Sequence, residues 1–381
     1  MNYGVAVPTP HATTGRRWVV PERTWVDLFY DLAFAAGIIA LSGSFADDHS
    51  GIAVIWYSIA YAMMWCAWLL TGWATGSLTT TQAPHSVASI GLLVTQMAAL
   101  LLLALVAGDS IVGAEFYFDV LLGVVMVTTL ILALRRRRSG PMRWRVPASV
   151  AFACLALALS WYVEGTASLV VWLVALASVA LAAWSVASDR ETDGHRAAHR
   201  LGELSVIVIG EVLVKLTLTL TDESMESLRL AALPGILLTL AGVWWIYFVN
   251  LPQASRLTGP RRAWWIVLHV PLHLGLLGLA VGLAKVAVNS AAVVEHPTLL
   301  TLPIVLTMAS LALMAWLATA RWWIPAVGLA ALSAVAAVTG HGADPLWAAV
   351  AIAAITVATA GGLAITPKRS APAQTATPAS P

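Results

Sequence analysis

Residues 166–187 contain no charged side chain: TASLVVWLVALASVALAAWSVA. A transmembrane α-helix needs about 20 mostly apolar residues, so this segment is long enough to cross a bilayer. Lipid offers peptide groups no hydrogen-bond partner, and the chain lacks the alternating pattern of a barrel, so such a segment crosses as a helix. We therefore predict an all-α, polytopic membrane helix bundle of about 12 transmembrane helices. The other apolar runs are 25–46, 51–74, 86–107, 115–134, 146–163, 201–220, 230–250, 263–287, 298–319, 322–340 and 345–365.

The composition agrees with immersion in lipid. Of the 381 residues, 60% are hydrophobic and 10% are charged, and the mean hydropathy is +0.83. A soluble globular chain carries about 25% charged residues. These values exclude a soluble enzyme, a secreted domain and a nucleic-acid-binding protein, and they leave the lipid bilayer as the expected partner. The two cysteines, Cys66 and Cys154, lie in apolar runs and are typical of small core residues.

The basic residues indicate the orientation. Nearly all of the 21 Lys and Arg residues lie before the first run or after an even-numbered one, and basic residues near span ends stay cytoplasmic. We expect a bacterial inner-membrane protein with both termini in the cytoplasm, a cytoplasmic segment at 1–24 and a disordered cytoplasmic tail at 366–381. The run Arg135–Arg138 is interpreted as a topology signal, with a site for lipid headgroups or a partner as the alternative.

Two halves of six spans are expected, at 25–190 and 191–365. An even offset between the halves keeps their orientation the same, so the predicted repeat is a parallel 6+6 duplication. The opening of each half carries acidic residues, and the second span of each half carries neighbouring tryptophans. These residues are Asp27, Asp31, Glu203 and Glu211 for the openings, and Trp65, Trp68, Trp244 and Trp245 for the second spans.

Three short motifs resemble one known family. The block at 27–34, DLFYDLAF, resembles the opening E-L-F-F-D-L-V-F of the bacterial low temperature requirement protein A family. The stretch from Gly202 to Gly210-Glu211 is similar to the family's second motif, and His269 ahead of Ala280-Val281-Gly282 is similar to its third. The resemblance implies a multi-pass bacterial membrane protein and adds little about its chemistry.

Two further comparisons concern the same regions. Where the family has Glu-Arg ahead of the second motif, this chain has His199-Arg200. The block at 29–35 is also similar to the F-S-D-x-x-F-A opening of potassium channels built from six-helix repeats. Position 30 departs from that pattern, since it is Tyr instead of Ser.

Ionisable residues inside the spans are the candidate functional residues. A charge at the centre of a transmembrane helix costs about 2.5–3.5 kcal/mol on insertion scales, so such groups are expected to turn inward, to pair or to line water. The candidates for a substrate or proton path are Asp27, Asp31, Glu203, Glu211, Lys215, His269 and His273.

Spacing groups some of these candidates. Glu211 and Lys215 lie four residues apart, which predicts one face of a helix, extended backward to Glu203 and His199. This stripe is either an internal ion pair that fixes packing or the lining of a path. Asp27 suits the positive end of the helix dipole, whereas Asp31 lies deeper and requires a partner such as Lys, His or a backbone donor.

The histidines offer two interpretations of their own. His269 and His273 lie one turn apart around Pro271, which can bend a helix. They suit either a proton relay or hydrogen bonds between helices. The i, i+4, i+8 spacing of His195, His199 and Glu203 is compatible with a metal site, but a solvated helix start explains these residues as well. We predict no metal, no cofactor and no catalytic residue.

Transport is the favoured function. Repeated halves and ionisable groups inside spans are typical of secondary transporters, so we expect a proton-coupled transporter of an unknown small solute, not an enzyme. The alternatives are a membrane assembly or stress-adaptation protein that transports nothing, and a cation channel. The expected partners are the bilayer and the unknown solute or ion, and no nucleic acid, with homo-oligomerisation left open.

Overall fold

The structure is a computed structural model that describes residues 25–47, 51–79, 86–107, 114–136, 142–222, 230–288, 298–320 and 350–359. These residues are almost entirely helical, which confirms the all-α prediction. The helices are α1 (Trp25–Asp47), α2 (Gly51–Thr75), α3 (Val87–Ala107), α4 (Ala114–Arg135), α5 (Met142–Ser160), α6 (Thr166–Ser188), α7 (Gly194–Asp222), α8 (Leu233–Ala254), α9 (Gly259–Val267), α10 (His269–Ala287), α11 (Thr298–Thr319) and α12 (Val350–Thr359), with a 3-10 turn at Leu230–Ala232.

Eight spans within this part of the chain are long and apolar enough to cross a membrane. They comprise α2, α4, α5, α6, α7, α8, α11 and the pair α9–α10. The predicted run 322–340 lies outside the described residues, and 345–365 is described only over Val350–Thr359. The count of about twelve spans, the parallel 6+6 repeat, the division at 190 and the disordered tail therefore stay predictions.

The predicted span 263–287 is broken into α9 and α10. The break falls at Leu268, three residues before Pro271. Proline has no N–H to donate to the carbonyl four residues earlier, and that carbonyl belongs to Val267, the last residue of α9. The interruption of the helix thus lies next to the carbonyl that lacks its helical donor, one turn before Pro271.

Helix α10 is almost entirely buried and contacts α1, α2, α7 and α11. Its approach to α11 depends on glycine. A Cβ atom at Gly278 would lie 2.6 Å from Pro303 Cγ, and one at Gly282 would lie 2.5 Å from the Leu299 carbonyl oxygen. Small residues that let two backbones approach are typical of packed membrane helices.

An arginine fastens the end of α6 to the start of α9. Arg262 is 5% exposed. Its Nε donates to the Ala187 carbonyl at 2.9 Å and its Nη1 to the Thr192 carbonyl at 2.7 Å, while Nη2 donates to the Asp189 carbonyl. The last carbonyls of a helix have no partner within the helix, and here a guanidinium supplies the donors.

Two more arginines fasten the end of α2. Arg136 donates to the Trp73 carbonyl and, at 3.2 Å, to Thr79 Oγ1, and Arg196 donates to the Thr79 carbonyl. Thr79 also forms an antiparallel bridge with Thr192. We call Arg136, Arg196 and Arg262 the arginine clamp, and the end of the bundle where they lie the clamp end. Arg136 therefore bonds within the protein, in addition to any contribution to orientation from its charge.

Candidate functional site

Asp31 lies in α1 with its side chain fully buried. Its Oδ1 accepts a hydrogen bond from Trp68 Nε1 at 2.9 Å and another from Arg200 Nη2 at 2.5 Å. Asp31 thus has partners at its depth, and those described are a tryptophan and an arginine. The sequence places Arg200 in the segment before the predicted span 201–220, but α7 begins earlier, at Gly194, and carries Arg200 into the bundle.

The surroundings hold the Arg200 guanidinium in place. Its central carbon lies 5.0 Å from the centroid of the Trp68 ring, and its Nη1 donates to Ser77 Oγ. A Cβ atom at Gly72 would lie 2.5 Å from Arg200 Nη1, so glycine at this position makes room for the cation. Asp27, half-buried one turn before Asp31, adds its negative charge near the same guanidinium. The result is a buried ion pair that joins α1 to α7.

His269 is fully buried at the start of α10. Its Nδ1 lies 3.0 Å from the Trp265 carbonyl oxygen and 3.1 Å from that of Ile266. A carbonyl only accepts, so Nδ1 carries the hydrogen. Nε2 of the neutral ring is then an acceptor, and it receives the hydroxyl hydrogen of Tyr247 at 2.9 Å.

His273 is also fully buried and lies between two hydroxyl groups. Its Nε2 is 3.0 Å from Ser205 Oγ, and its Nδ1 is 3.1 Å from the Tyr61 hydroxyl. Ser205 also lies close enough to Tyr247 to influence its hydroxyl. Five buried side chains from α2, α7, α8 and α10 thus form two neighbouring hydrogen-bonded sets, Tyr61–His273–Ser205 and Tyr247–His269. We call the five together the hydroxyl–imidazole chain.

Two arrangements of hydrogens suit His273, because both of its partners are hydroxyl groups. In one, Tyr61 donates to Nδ1 and the Nε2–H donates to Ser205; in the other, Ser205 donates to Nε2 and the Nδ1–H donates to Tyr61. In the first arrangement the oxygen of Tyr247, which donates to His269, can accept the hydrogen of Ser205.

The predicted stripe on α7 turns across the helix surface. A step of four residues rotates the position by about 40°, because a turn takes about 3.6 residues. His199, an exposed side chain, pairs with Glu203 at 3.4 Å, whereas Glu211 is buried with half-buried Lys215 acting on its charge. The stripe therefore divides into a pair near the clamp end and a pair deeper in the helix.

The spacing that suited a metal site brings only His199 and Glu203 together. Among the described residues, no group of three or more metal-ligating side chains occurs. Three members of the hydroxyl–imidazole chain, Tyr61, Ser205 and Tyr247, were not predicted as site residues.

Two cavities adjoin the hydroxyl–imidazole chain. The first, the Tyr61 groove, is open and has a cavity volume of about 60 Å³ between α1, α2, α10 and α11. The second, the Tyr247 cavity, has a volume of about 10 Å³ between α8, α9 and α11, and is lined by Tyr247, Asn250 and Trp265. Each cavity therefore touches one tyrosine of the chain.

The cavities lie in opposite halves of the bundle. Along α11, Leu302–Leu306 face the groove, while Leu311–Ala315 face the Tyr247 cavity, closer to the clamp end. Nine residues separate these two stretches from centre to centre, which is about 13 Å along a helix. Tyr61 and Tyr247, both members of the hydroxyl–imidazole chain, lie at these two depths.

The comparison with known protein families concerns nearly the whole chain. The family described as bacterial low temperature requirement A protein matches residues 22–361. The chain belongs to this family. The match confirms the resemblance of the sequence motifs and includes the buried ion pair and both histidines. Family membership and the eight spanning helices identify a multi-pass membrane protein.

Relatives add little about activity. The chain is 28% identical over 299 residues to the uncharacterized protein RA0937 of Rhizobium meliloti (strain 1021), covering 70% of this chain and 71% of that protein. No solved structure gives a significant match.

Proposed function

We propose that this member of the low temperature requirement A family is a proton-coupled secondary transporter of the bacterial inner membrane, with both termini in the cytoplasm. The observation that carries the proposal is the hydroxyl–imidazole chain between two cavities at different depths of the bundle. Ionisable groups inside a membrane bundle mark proton relays and substrate pathways by default.

The chemistry of the chain suits proton movement. A proton arriving at the Tyr61 oxygen lets the Tyr61 hydrogen move to Nδ1 of His273, and the Nε2 hydrogen then moves to Ser205. The same exchange passes a hydrogen from Ser205 to Tyr247 and from Tyr247 to Nε2 of His269. One proton enters, four transfers follow between the five side chains, and the charge ends on an imidazolium beside the Tyr247 cavity.

The two groups of buried candidates have different roles in this proposal. His269 and His273 carry the proton path, whereas Asp31 belongs to the buried ion pair that joins α1 to α7. Glu203, Glu211 and Lys215 lie on α7 outside the hydroxyl–imidazole chain. Because positions four residues apart rotate by about 40° around a helix, the predicted stripe on α7 does not stay on the buried face of the helix.

Proton uptake into proteoliposomes tests the proposal. Vesicles containing a trapped pH dye receive an inward pH gradient while valinomycin and potassium clamp the membrane potential. The wild-type protein should admit protons faster than protein-free vesicles do. His273→Gln, which keeps hydrogen-bonding groups but cannot carry a proton, should lower the rate at least tenfold.

Two further variants provide the matched comparison. His199→Gln, an exposed histidine on α7, should leave the rate unchanged, and Ser205→Thr should keep more activity than Ser205→Ala because it retains the hydroxyl. Proton-uptake rates are compared only between proteins that have the same thermal unfolding temperature. Wild-type proteoliposomes that behave like protein-free vesicles, or a His273→Gln variant as active as the wild type, would contradict the proposal and favour a non-transporting protein.

A further inference from the structure

We infer that the corner between α4 and α5 is a binding site for an anionic phospholipid, with its phosphate groups on three exposed arginines and its acyl chains along the two helices. The arginines are Arg135 at the end of α4, and Arg143 and Arg145 in the first turn of α5. We call these three residues the arginine corner. The inference is independent of the proposed transport.

The arginine corner concentrates positive charge. Residues 120–163 contain six arginines and no acidic residue. Arg136 bonds to the end of α2 as part of the arginine clamp, whereas the arginine corner is exposed. Helices α4 and α5 pack against each other and are connected only by residues 136–141, so the end of one lies beside the start of the other. Guanidinium groups bind phosphate oxygens through paired hydrogen bonds, so this charge is complementary to a phosphate head group.

Trp144 suits the level at which a lipid head group meets the acyl chains. It lies between Arg143 and Arg145 in the sequence and is 65% exposed. The guanidinium carbon of Arg143 lies 5.1 Å from the centroid of the Trp144 ring, which holds the cation beside the indole. Tryptophan is enriched where a membrane meets water, because its ring is apolar and its N–H binds polar groups. The corner therefore presents cations and a hydrogen-bond donor next to an apolar ring.

Each of the two helices exposes an apolar row that leads to the arginine corner. On α5 the row continues from Trp144 at intervals of three or four residues, which is one side of a helix. On α4 a similar row ends next to Arg135. The exposed side chains are Ala148, Phe152, Leu155 and Leu159 on α5, and Val127, Ile131 and Leu134 on α4. Acyl chains can cover these rows, whereas a soluble phosphate compound cannot, so the combination favours a phospholipid.

Thermal unfolding of delipidated full-length protein in detergent tests the inference. The rise in unfolding temperature with added lipid gives the affinity, and the probes are cardiolipin, phosphatidylglycerol and phosphatidylcholine with the same acyl chains. One basic residue near an anionic membrane surface contributes about fivefold in affinity. Cardiolipin, which has two phosphate groups, should therefore bind at least about tenfold more tightly than phosphatidylcholine, with phosphatidylglycerol between them. Pyrophosphate, which lacks acyl chains, should leave the unfolding temperature unchanged at concentrations at which cardiolipin saturates.

Two matched double variants locate the site. Arg143→Gln/Arg145→Gln should reduce the affinity for cardiolipin at least about tenfold and leave the affinity for phosphatidylcholine unchanged. Arg256→Gln/Arg261→Gln also removes two exposed arginines from the clamp end, but outside the arginine corner, and should bind cardiolipin as the wild type does. Trp144→Ala should weaken the binding of both anionic lipids.

Three results would overturn the inference. Equal affinities for cardiolipin and phosphatidylcholine would show that the protein does not recognise the phosphate groups. Equal losses of cardiolipin affinity in the two double variants would show that positive charge acts over the whole clamp end instead of at the arginine corner. A rise in unfolding temperature with pyrophosphate equal to that with cardiolipin would assign the site to a soluble phosphate compound.

Discussion

Removing one member of the buried ion pair should destabilise the protein strongly. Asp31 is fully buried and Arg200 is 5% exposed, so each charge depends on the other. Arg200→Met leaves the carboxylate without its guanidinium, and Asp31→Asn leaves the guanidinium without its carboxylate. Breaking a buried pair from one side costs about 3–5 kcal/mol, because the remaining charge stays away from water.

The double variant separates charge pairing from packing. With both charges removed, no uncompensated ion remains, and contacting residues in one network couple by about 0.5–3 kcal/mol. We expect the Asp31→Asn/Arg200→Met protein to lose about 2–3 kcal/mol less than the sum of the two single variants. Both effects follow from the 2.5 Å contact between Asp31 Oδ1 and Arg200 Nη2.

Unfolding in mixed micelles with increasing SDS measures the free energy, with tryptophan fluorescence as the signal. Arg256→Met is the matched control, since Arg256 is exposed, and it should change the free energy of unfolding by no more than about 0.5 kcal/mol. Two results would refute this reasoning. Arg200→Met could have the same free energy of unfolding as the Arg256→Met control, or the double variant could lose as much free energy of unfolding as the two single variants added together.

The remaining predictions concern packing and the arginine clamp. Arg262→Met removes three hydrogen bonds to carbonyls and should cost about 2–4 kcal/mol in the same unfolding assay, whereas exposed Arg261→Met should have little effect; equal losses would deny Arg262 a special role. Gly278→Ala places a Cβ atom against Pro303 and should cost about 1–3 kcal/mol, while Gly123→Ala, where a Cβ meets no atom within 4 Å, should stabilise by up to about 1 kcal/mol. If Gly278→Ala left the free energy of unfolding unchanged, α10 and α11 could move apart at no energetic cost.

The all-α class could be predicted from the sequence, because the length of the apolar segments alone decides it. The start of α7 could not be predicted in this way. Hydropathy placed the start at residue 201, where the apolar residues begin, but the polar stretch from Gly194 continues the helix. Those residues bond to neighbouring helix ends, and hydropathy contains no information about such contacts. For this reason the sequence did not predict that Arg200 lies inside the bundle.

The sequence predicted which buried ionisable residues need partners, but it did not predict which residues those partners are. The cost of a charge in lipid requires Asp31 to be compensated, yet its partner lies 169 residues away, and no local spacing points to it. The pair His269 and His273 was visible as a one-turn spacing. The hydroxyls that connect these rings were not, because a Ser or Tyr in an apolar helix is unremarkable until three helices bring it to an imidazole.

The arginine clamp gives the bundle a pivot. Helices α2, α6, α7 and α9 are fastened at one end, whereas the Tyr61 groove leaves empty space toward the other. A rigid rod fixed at one end moves most at the other: tilting α10 by about 5° around His269 displaces Ala287 by about 2.5 Å, since 19 residues span about 28 Å. A tilt of a helix about the clamp end would therefore move the groove mouth more than the residues near the guanidinium groups.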